Sequence, residues 1–205
     1  MKHWIMLGLA PLFLLTVACA KAPTDKLTAA EQAVNDARTA GAPAYMAEDF
    51  AKLESLVANA KKEIAEEEGK FAFLRDYEKA EQLLASAKAD AAKVVIEAAK
   101  KKEEAKVAAV QAQQEAQASV KTTQALVAKA PVGKDRAAVE AIKADAEGLA
   151  ASLAGVQAAM DAEDYLTAQT KAKAIQDKSQ AVAKEIQGAL AKVAGAKGKQ
   201  GKTGK

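Results

Sequence analysis

The residue with the clearest chemical potential is Cys19, because it is the only cysteine and because of what precedes it. The chain opens on a short basic start over residues 1–3, followed by an apolar run over residues 4–15. This layout is typical of a secretory signal peptide. The run is shorter than the roughly 20 apolar residues that a membrane-spanning helix needs. The sequence therefore predicts a signal peptide over residues 1–18 that is cleaved between Ala18 and Cys19.

Thr16, Val17 and Ala18 precede the cysteine, and this pattern resembles the processing site of bacterial lipoproteins. In such proteins the cysteine sulfur is joined to a diacylglycerol, the signal peptide is removed and the new amino terminus is acylated. The resemblance implies a covalent lipid on Cys19 and firm membrane attachment, since two or more acyl chains hold a protein stably. Ala20 follows, where relatives kept at the inner membrane often carry Asp, which implies the outer membrane, facing the periplasm. The alternatives are an uncleaved amino-terminal anchor and a coincidental cysteine after an ordinary signal peptide.

The rare residue types limit the chemistry further. His3, Trp4 and Cys19 are the only residues of their kinds, and cleavage of the signal peptide would remove the first two. With Cys19 lipidated, the mature chain would have neither a free thiol nor an imidazole. This excludes Cys–His and Ser–His nucleophilic arrangements, histidine general bases and zinc sites with His or Cys ligands. The composition predicts a protein that is not an enzyme, with no metal and no cofactor besides the covalent lipid.

Positive charge is concentrated at the end of the chain, although the whole sequence has 30 basic and 27 acidic residues. The segment over residues 195–205 alternates glycine and lysine, which predicts disorder. In the envelope such a tail could contact lipopolysaccharide, phospholipid headgroups or peptidoglycan. Export of the protein argues against nucleic acid as a partner of the tail. We interpret it as a solubilising or weakly electrostatic tail; the alternative is a peptidoglycan linkage through the terminal Lys205, as in some envelope lipoproteins. The lysines in question are Lys197, Lys199, Lys202 and Lys205.

Two acidic clusters are the remaining candidates for a site that binds a hard cation. One covers residues 66–68, and the other consists of Asp161, Glu163 and Asp164. Neither has the alternating oxygen-ligand spacing and the central glycine of a calcium loop. Each lies at a predicted helix end, where acidic side chains cap the helix or stay at the surface. We therefore interpret both clusters as capping and surface residues and predict no metal site.

The mature chain is predicted to begin with a spacer over residues 19–27 and to continue into amphipathic helices. Thr28 and Glu31 have the spacing of a capping box, which predicts a first helix from Thr28 to about Ala40. A Gly-Ala-Pro sequence at residues 41–43 ends that helix and starts a second one, which runs to about residue 68. The apolar residues of the second helix recur in steps of three and four, so they share one face. They are Met46, Phe50, Leu53, Val57, Ala60 and Ile64.

A long helix is predicted next, because residues 70–130 contain neither Pro nor Gly and are rich in good helix formers. Its first half has an apolar stripe that matches the second helix and predicts an antiparallel hairpin. We expect Phe71, Phe73 and Tyr77 to close the core of this hairpin at its turn. The stripe fades at residues 100–104, and the face beyond them is mostly alanine. This predicts either a solvent-exposed crossing between two bundles or a bend, with the lysine run as a solvated face.

A second hairpin is predicted after residues 131–133 (Pro-Val-Gly), with Asp135 placed to cap its first helix. Asp164-Tyr165 in this hairpin and Asp76-Tyr77 in the first precede apolar stripes of the same spacing. This echo suggests a duplicated helical unit.

The predicted fold is therefore all-α, with elongated, coiled-coil-like antiparallel hairpins that share one long central helix. The predicted boundaries are a signal peptide at 1–18, a lipidated amino terminus and spacer at 19–27, a first helical unit at 28–130, a second hairpin at 131–194 and a tail at 195–205.

Two short stretches extend the resemblance beyond the processing site. Residues 40–45 (Ala-Gly-Ala-Pro-Ala-Tyr) and 76–80 (Asp-Tyr-Glu-Lys-Ala) lie among alanine-rich amphipathic segments. Over residues 19–100 the chain resembles an uncharacterised family of Gram-negative envelope lipoproteins with helical-hairpin repeats. Some relatives continue into an OmpA-like peptidoglycan-binding domain. No such domain is recognisable in this sequence, so the resemblance does not imply that binding function.

These patterns predict a membrane-anchored lipoprotein with a structural or adaptor role in the bacterial envelope. Its predicted partners are the membrane lipid and either a second copy of the chain or another envelope protein. The alternative is a periplasmic chaperone or scaffold that holds a client protein in a helical groove. Oligomeric state distinguishes the two, because a fixed oligomer without a client favours the structural role. A monomer that suppresses the aggregation of unfolded membrane proteins favours the chaperone.

Overall fold

A computed structural model describes residues 21–129 and 136–200, and within these ranges all regular structure is helical. The predicted all-α class with one long central helix is confirmed, since α4 has 50 residues and is about 75 Å long at 1.5 Å per residue. Among the helices in these ranges, none combines the length and the apolar character needed to cross a bilayer. The helices are α1 (Thr24–Thr39), α2 (Ala42–Tyr45), α3 (Ala47–Glu68), α4 (Glu78–Val127), α5 (Arg136–Asp161) and α6 (Tyr165–Gln200), with one 3₁₀ turn at Ala72–Leu74.

The first helix, α1, begins at Thr24, four residues before the start that the capping-box pattern predicts. The Pro23 carbonyl accepts the Leu27 amide at 2.9 Å, and proline suits a helix entrance because it has no N–H to leave unpaired. Thr28 lies inside the helix, where its hydroxyl donates to the Thr24 carbonyl at 3.0 Å. The predicted capping box is therefore wrong, and the spacer predicted over residues 19–27 is helical from Thr24 onward.

A glycine ends α1, as the sequence predicts. Gly41 has a φ of 92°, in the left-handed region that glycine adopts without a Cβ clash. Pro43 lies in the first turn of α2, which lasts one turn because Met46 leaves the helical conformation at φ −140°. The Met46 amide donates to the Ala42 carbonyl and its own carbonyl accepts the Phe50 amide, so this break leaves neither Met46 group unpaired. The single helix predicted from Pro43 onward is thus divided into α2 and α3.

Contacts divide the chain into two compact units, with the division between Ala98 and Ala99. In the first unit α3 and the first half of α4 supply the two predicted stripes, and α1 adds a third face of Ala30, Val34 and Ala37. The unit is therefore a three-helix bundle, in which α1 covers apolar surface that a two-helix hairpin would leave open. The buried core residues from 47–98 are Phe50, Leu53, Val57, Ala60, Ile64, Tyr77, Ala80, Leu84, Ala87, Ala91, Val94 and Ala98.

The loop between α3 and α4 contradicts part of the aromatic prediction. Tyr77 is buried in the core and only 4% exposed, as expected. Phe71 and Phe73 are instead 75% and 69% exposed, and they stack on each other with ring centroids 6.0 Å apart. The 3₁₀ turn at Ala72–Leu74 takes both phenylalanines out of register with the core stripe, which resumes at Tyr77. The prediction that Phe71 and Phe73 close the core is wrong.

The long helix α4 continues without interruption through residues 100–104, where the fading stripe predicts an exposed crossing or a bend. Beyond that point its alanine face is buried, with Ala109, Ala116 and Thr123 among the covered residues. Alanine contributes little to an apolar stripe, yet it lets neighbouring helices approach closely. The alanine-rich face of the second half of α4 therefore packs against other helices.

The second half of α4 packs with α5 and α6, so the second unit is also a three-helix bundle. α5 and α6 form the predicted antiparallel hairpin; the predicted cap Asp135 lies outside the described residues. The polar contacts that join α4 to its partners include the Thr123 hydroxyl, which donates to the Ser179 carbonyl at 3.0 Å, and Gln113, which donates to Gln157 at 2.8 Å. The buried core residues are Ala109, Ala112, Ala116, Val120, Leu149, Val156, Ala159, Tyr165, Ala168, Ala172 and Ile175.

The Asp-Tyr echo has a structural counterpart in both units. The Asp76 and Asp164 carboxylates each accept a backbone amide near the start of the following helix, at 2.9 and 3.1 Å. Tyr77 and Tyr165 are buried beside them. Each dipeptide thus caps a helix with its first residue and fills the end of a core with its second.

The last helix, α6, extends to Gln200, beyond residue 194, where the sequence predicts the end of the hairpin. Residues 195–200 are therefore helical where a disordered tail is predicted. Lysine and alanine are good helix formers, and adding residues to an existing helix needs no new nucleation.

Candidate functional site

The cleavage residue Ala18 and the lipid-attachment residue Cys19 lie outside the described residues, but the described chain begins close to them. Lys21 is its first residue, and two residues of extended chain span at most about 7 Å. α1 starts three residues later, at Thr24. A lipid on Cys19 would therefore be attached next to the amino-terminal end of α1.

This end of α1 lies beside the loop that joins α3 to α4, residues 69–77. The Lys26 ammonium pairs with the Glu81 carboxylate at 2.6 Å, which joins the first turns of α1 and α4. Lys79, also at the start of α4, pairs with Glu63 near the end of α3. The start of α1, the end of α3 and the start of α4 therefore meet at one end of the first unit. We call this the anchor end.

Loop 69–77 is ordered by hydrogen bonds to the end of α3. The Arg75 guanidinium donates to the Glu68 carbonyl at 2.8 Å and to the Lys70 carbonyl at 3.0 Å. A helix end leaves carbonyl groups without intrahelical partners, and the arginine satisfies an acceptor of this kind. The loop is therefore tied to the bundle by its basic side chain.

The Glu67 carboxylate ties the other side of the loop. It pairs with the Lys70 ammonium at 2.6 Å and accepts the Asp76 amide at 3.0 Å. The Lys70 hydrogen bond, followed by the Asp76 amide, favours the charged carboxylate and holds the pKa of Glu67 below its ordinary value. Glu67 is thus a structural member of the first acidic cluster, which agrees with the prediction of surface and end residues.

The second acidic cluster also makes capping and surface contacts. The Asp164 carboxylate accepts the Thr167 amide at 3.1 Å, and its hydrogen bonds to Thr167 lower the pKa of Asp164. Glu163 pairs with Lys102 at 2.5 Å, and this hydrogen bond lowers the pKa of Glu163. Within residues 21–129 and 136–200, no group of three or more His, Cys, Asp or Glu side chains could hold a metal ion.

An open groove of about 980 Å³ lies between α5 and α6 in the second unit. On the α5 side its wall carries small residues at helical spacing, Gly148, Ser152 and Gly155. Lys171 and Lys178 line the α6 side, and the Lys171 ammonium donates to the Gly155 carbonyl at 3.4 Å. A Cβ added at Gly148 would meet no atom within 4 Å. The wall therefore leaves room for another backbone to approach α5.

The predicted lysine tail is only partly within the described chain. Lys197 and Lys199 fall in the helical backbone of α6, and Lys202 and Lys205 lie outside the described residues. Contact of these lysines with an anionic surface stays a prediction.

Comparison of the chain with protein-family models, curated proteins and solved structures gives no match. The resemblance to envelope lipoproteins therefore rests on the sequence motifs alone.

The sequence did not reveal the exposed loop or the groove, and for different reasons. After Gly69 the apolar residues are Phe71, Phe73 and Leu74, which are two residues and one residue apart. A helical stripe needs steps of three and four, so this irregular spacing is the signal that the loop is separate from the core. The groove has no such signal, because Gly and Ser on its wall do not contribute to apolar periodicity.

We predict that the Asp76 amide proton follows the titration of Glu67, with a midpoint below the ordinary glutamate value of 4.5. Since the folded pKa is lowered, the stabilisation from charged Glu67 is present at neutral pH and is lost as the pH falls through that lowered value. Amide NMR spectra recorded against pH measure this. In Glu67→Gln the titration should vanish, whereas in the control Glu66→Gln it should remain. A midpoint at or above the ordinary value would contradict the contact network of the loop.

Proposed function

We propose that this protein is a lipoprotein of the bacterial envelope, attached to the outer membrane through acyl chains on Cys19, facing the periplasm, with a structural or adaptor role. The observation that carries the proposal is the amino-terminal sequence, in which a basic start and an apolar run end at Ala18-Cys19. The start of α1 at Thr24 supports it, because only a short segment separates the lipid from the helical bundle.

The strength of such an anchor follows from its acyl chains. Each buried CH₂ contributes about 0.8 kcal/mol, and a single chain binds a membrane only marginally. A diacylglycerol on the sulfur of Cys19 with a further acyl group on its amino group exceeds the two chains that stable anchoring requires. The proposed form of the protein is therefore permanently membrane-bound.

A structural or adaptor role fits the side chains that the mature chain would keep. Removal of His3 and Trp4 with the signal peptide leaves no imidazole, and lipidation uses the one thiol. The described carboxylates with lowered pKa values, those of Glu67, Glu163 and Asp164, bind neighbouring side chains and amides at the surface. The proposal therefore includes no enzymatic activity.

The intact mass of protein purified from detergent-solubilised membranes tests the proposal. We expect a native species that begins at Cys19 and carries the added mass of its acyl chains. In Cys19→Ser both the acyl mass and the retention in the membrane fraction should be lost, and the substitution breaks no disulfide because Cys19 is the only cysteine. Native protein that still begins at Met1, or that begins at Cys19 without acyl mass, would contradict the proposal.

A second candidate function is that of a periplasmic chaperone or scaffold, and the α5/α6 groove favours it. Glycine inside a helix costs about 1 kcal/mol relative to alanine. Gly148 has open space around it, so packing within the chain does not require a glycine at this position. A client segment that lies against α5 would require it.

We predict, for this second candidate, that the native protein suppresses aggregation of an unfolded outer-membrane protein and that Gly148→Leu abolishes the effect by filling the groove. Gly188→Leu is the matched control, because Gly188 also lies exposed on a helix with open space around it but does not line the groove. Light scattering measures the aggregation. Equal suppression by both variants would exclude the groove as the client site, and a fixed oligomer with no suppression would favour the structural role.

A further inference from the structure

The anchor end carries an apolar surface that the helical bundle does not cover. Phe71, Phe73 and Leu74 are 75%, 69% and 58% exposed, and they follow one another within four residues. The other large hydrophobic residues that the structure shows as exposed lie on helices, whereas these three form the tip of a loop. We call them the apolar tip.

The exposure of the apolar tip is built into an ordered loop. The Leu74 amide donates to the Phe71 carbonyl at 2.8 Å, and the two phenylalanine rings stack with an interplanar angle of 15°. Contacts of Arg75 and Glu67 hold the two flanks of the loop, as described above. The polar contacts of the loop thus fix its conformation without burying any of the three apolar side chains.

The place of the tip relative to the chain terminus indicates what covers it. The Lys26–Glu81 ion pair sets the start of α1 beside the start of α4, and the tip lies in the loop that leads into α4. Cys19 precedes Lys21 by two residues, so acyl chains on Cys19 would be attached at this same end. Whatever surface receives the lipid therefore lies next to the apolar tip.

We propose that the apolar tip inserts into the membrane that holds Cys19, with Phe71, Phe73 and Leu74 at the boundary between headgroups and acyl chains. The inference rests on the proposed lipid anchor. Exposed Phe and Leu side chains on a polar base are suited to this depth, because apolar groups of interfacial segments are buried about 5–10 Å into that boundary. The acidic residues 66–68 at the end of α3 limit insertion to the tip.

Insertion of the tip would give the first unit two contacts with the bilayer at one end. A lipid attached at one point restrains distance only, whereas a lipid and an inserted loop together also restrain orientation. The function of the tip is therefore to hold the first unit end-on to the membrane.

A single tryptophan tests the insertion directly, since Trp4 is the only tryptophan and leaves with the signal peptide. We would place the probe at the tip with Phe73→Trp, purify the lipidated protein and reconstitute it in vesicles of phosphatidylethanolamine and phosphatidylglycerol. We expect the emission maximum to shift to shorter wavelength relative to the unfolded chain, and the emission to be lost when the acyl chains are brominated. Phe71→Trp is the second probe, which guards against a local effect of one substitution.

Ile96→Trp is the matched control. Ile96 is 71% exposed in the same unit, about 27 Å along α4 from Glu78. Its emission should stay at long wavelength and be unaffected by brominated lipid. Equal emission and quenching at positions 73 and 96 would overturn the proposal, as would a short-wavelength emission at position 73 without quenching, which would show that a second copy or another protein covers the tip.

Failure of the anchor and failure of the insertion are distinguishable. Protein without any of the three tryptophan substitutions should show no tryptophan emission, and residual emission with an unprocessed mass would show that the signal peptide is retained. In that case a chain produced without residues 1–18 is coupled through Cys19, its only thiol, to maleimide-bearing lipid in the same vesicles. Quenching at position 73 then supports the insertion even though the natural lipid is lacking, and its absence overturns it.

Discussion

The close approach of helices along the alanine face of α4 is the contact on which both units depend. Ala87, Ala91 and Ala98 are fully buried in the first unit, and Ala109 and Ala116 in the second. Burial of apolar area contributes about 25 cal/mol per Å², and each alanine buries little area. The stabilisation therefore accumulates along the length of the helix. This explains why one 50-residue helix contributes to both cores, and why each core needs three helices.

A tyrosine and several polar contacts lie at helix ends in these bundles. Tyr77 and Tyr165 fill the ends of the cores where helices begin, and Glu67 and Arg75 hold the loop that leads into α4. With its backbone held by these polar contacts, that loop leaves its apolar side chains at the surface. In the proposed function, these side chains and the lipid on Cys19 act on the same membrane from the same end of the first unit.

Apolar residues in steps of three and four predicted the core faces of α3 and of the first half of α4, because bulky side chains mark these faces. The same reasoning missed the role of the second half of α4, since alanine contrasts little with its polar neighbours. Thr28 also matches a capping box, but Pro23 provides an earlier start for α1. The lipid site at Cys19 stays a prediction from a local motif, whereas the exposure of Phe71 and Phe73 depends on how Arg75 and Glu67 hold the loop between α3 and α4.

The stability of two leucine variants tests the central role of the alanine face most directly. Ala116 is fully buried on α4, and Ala118 is exposed two residues further on. We predict that Ala116→Leu lowers the free energy of unfolding by about 1–3 kcal/mol through overpacking. Ala118→Leu should change it by no more than about 0.5 kcal/mol. Urea unfolding of both variants measures these values, and equal stability of the two would contradict packing through this face.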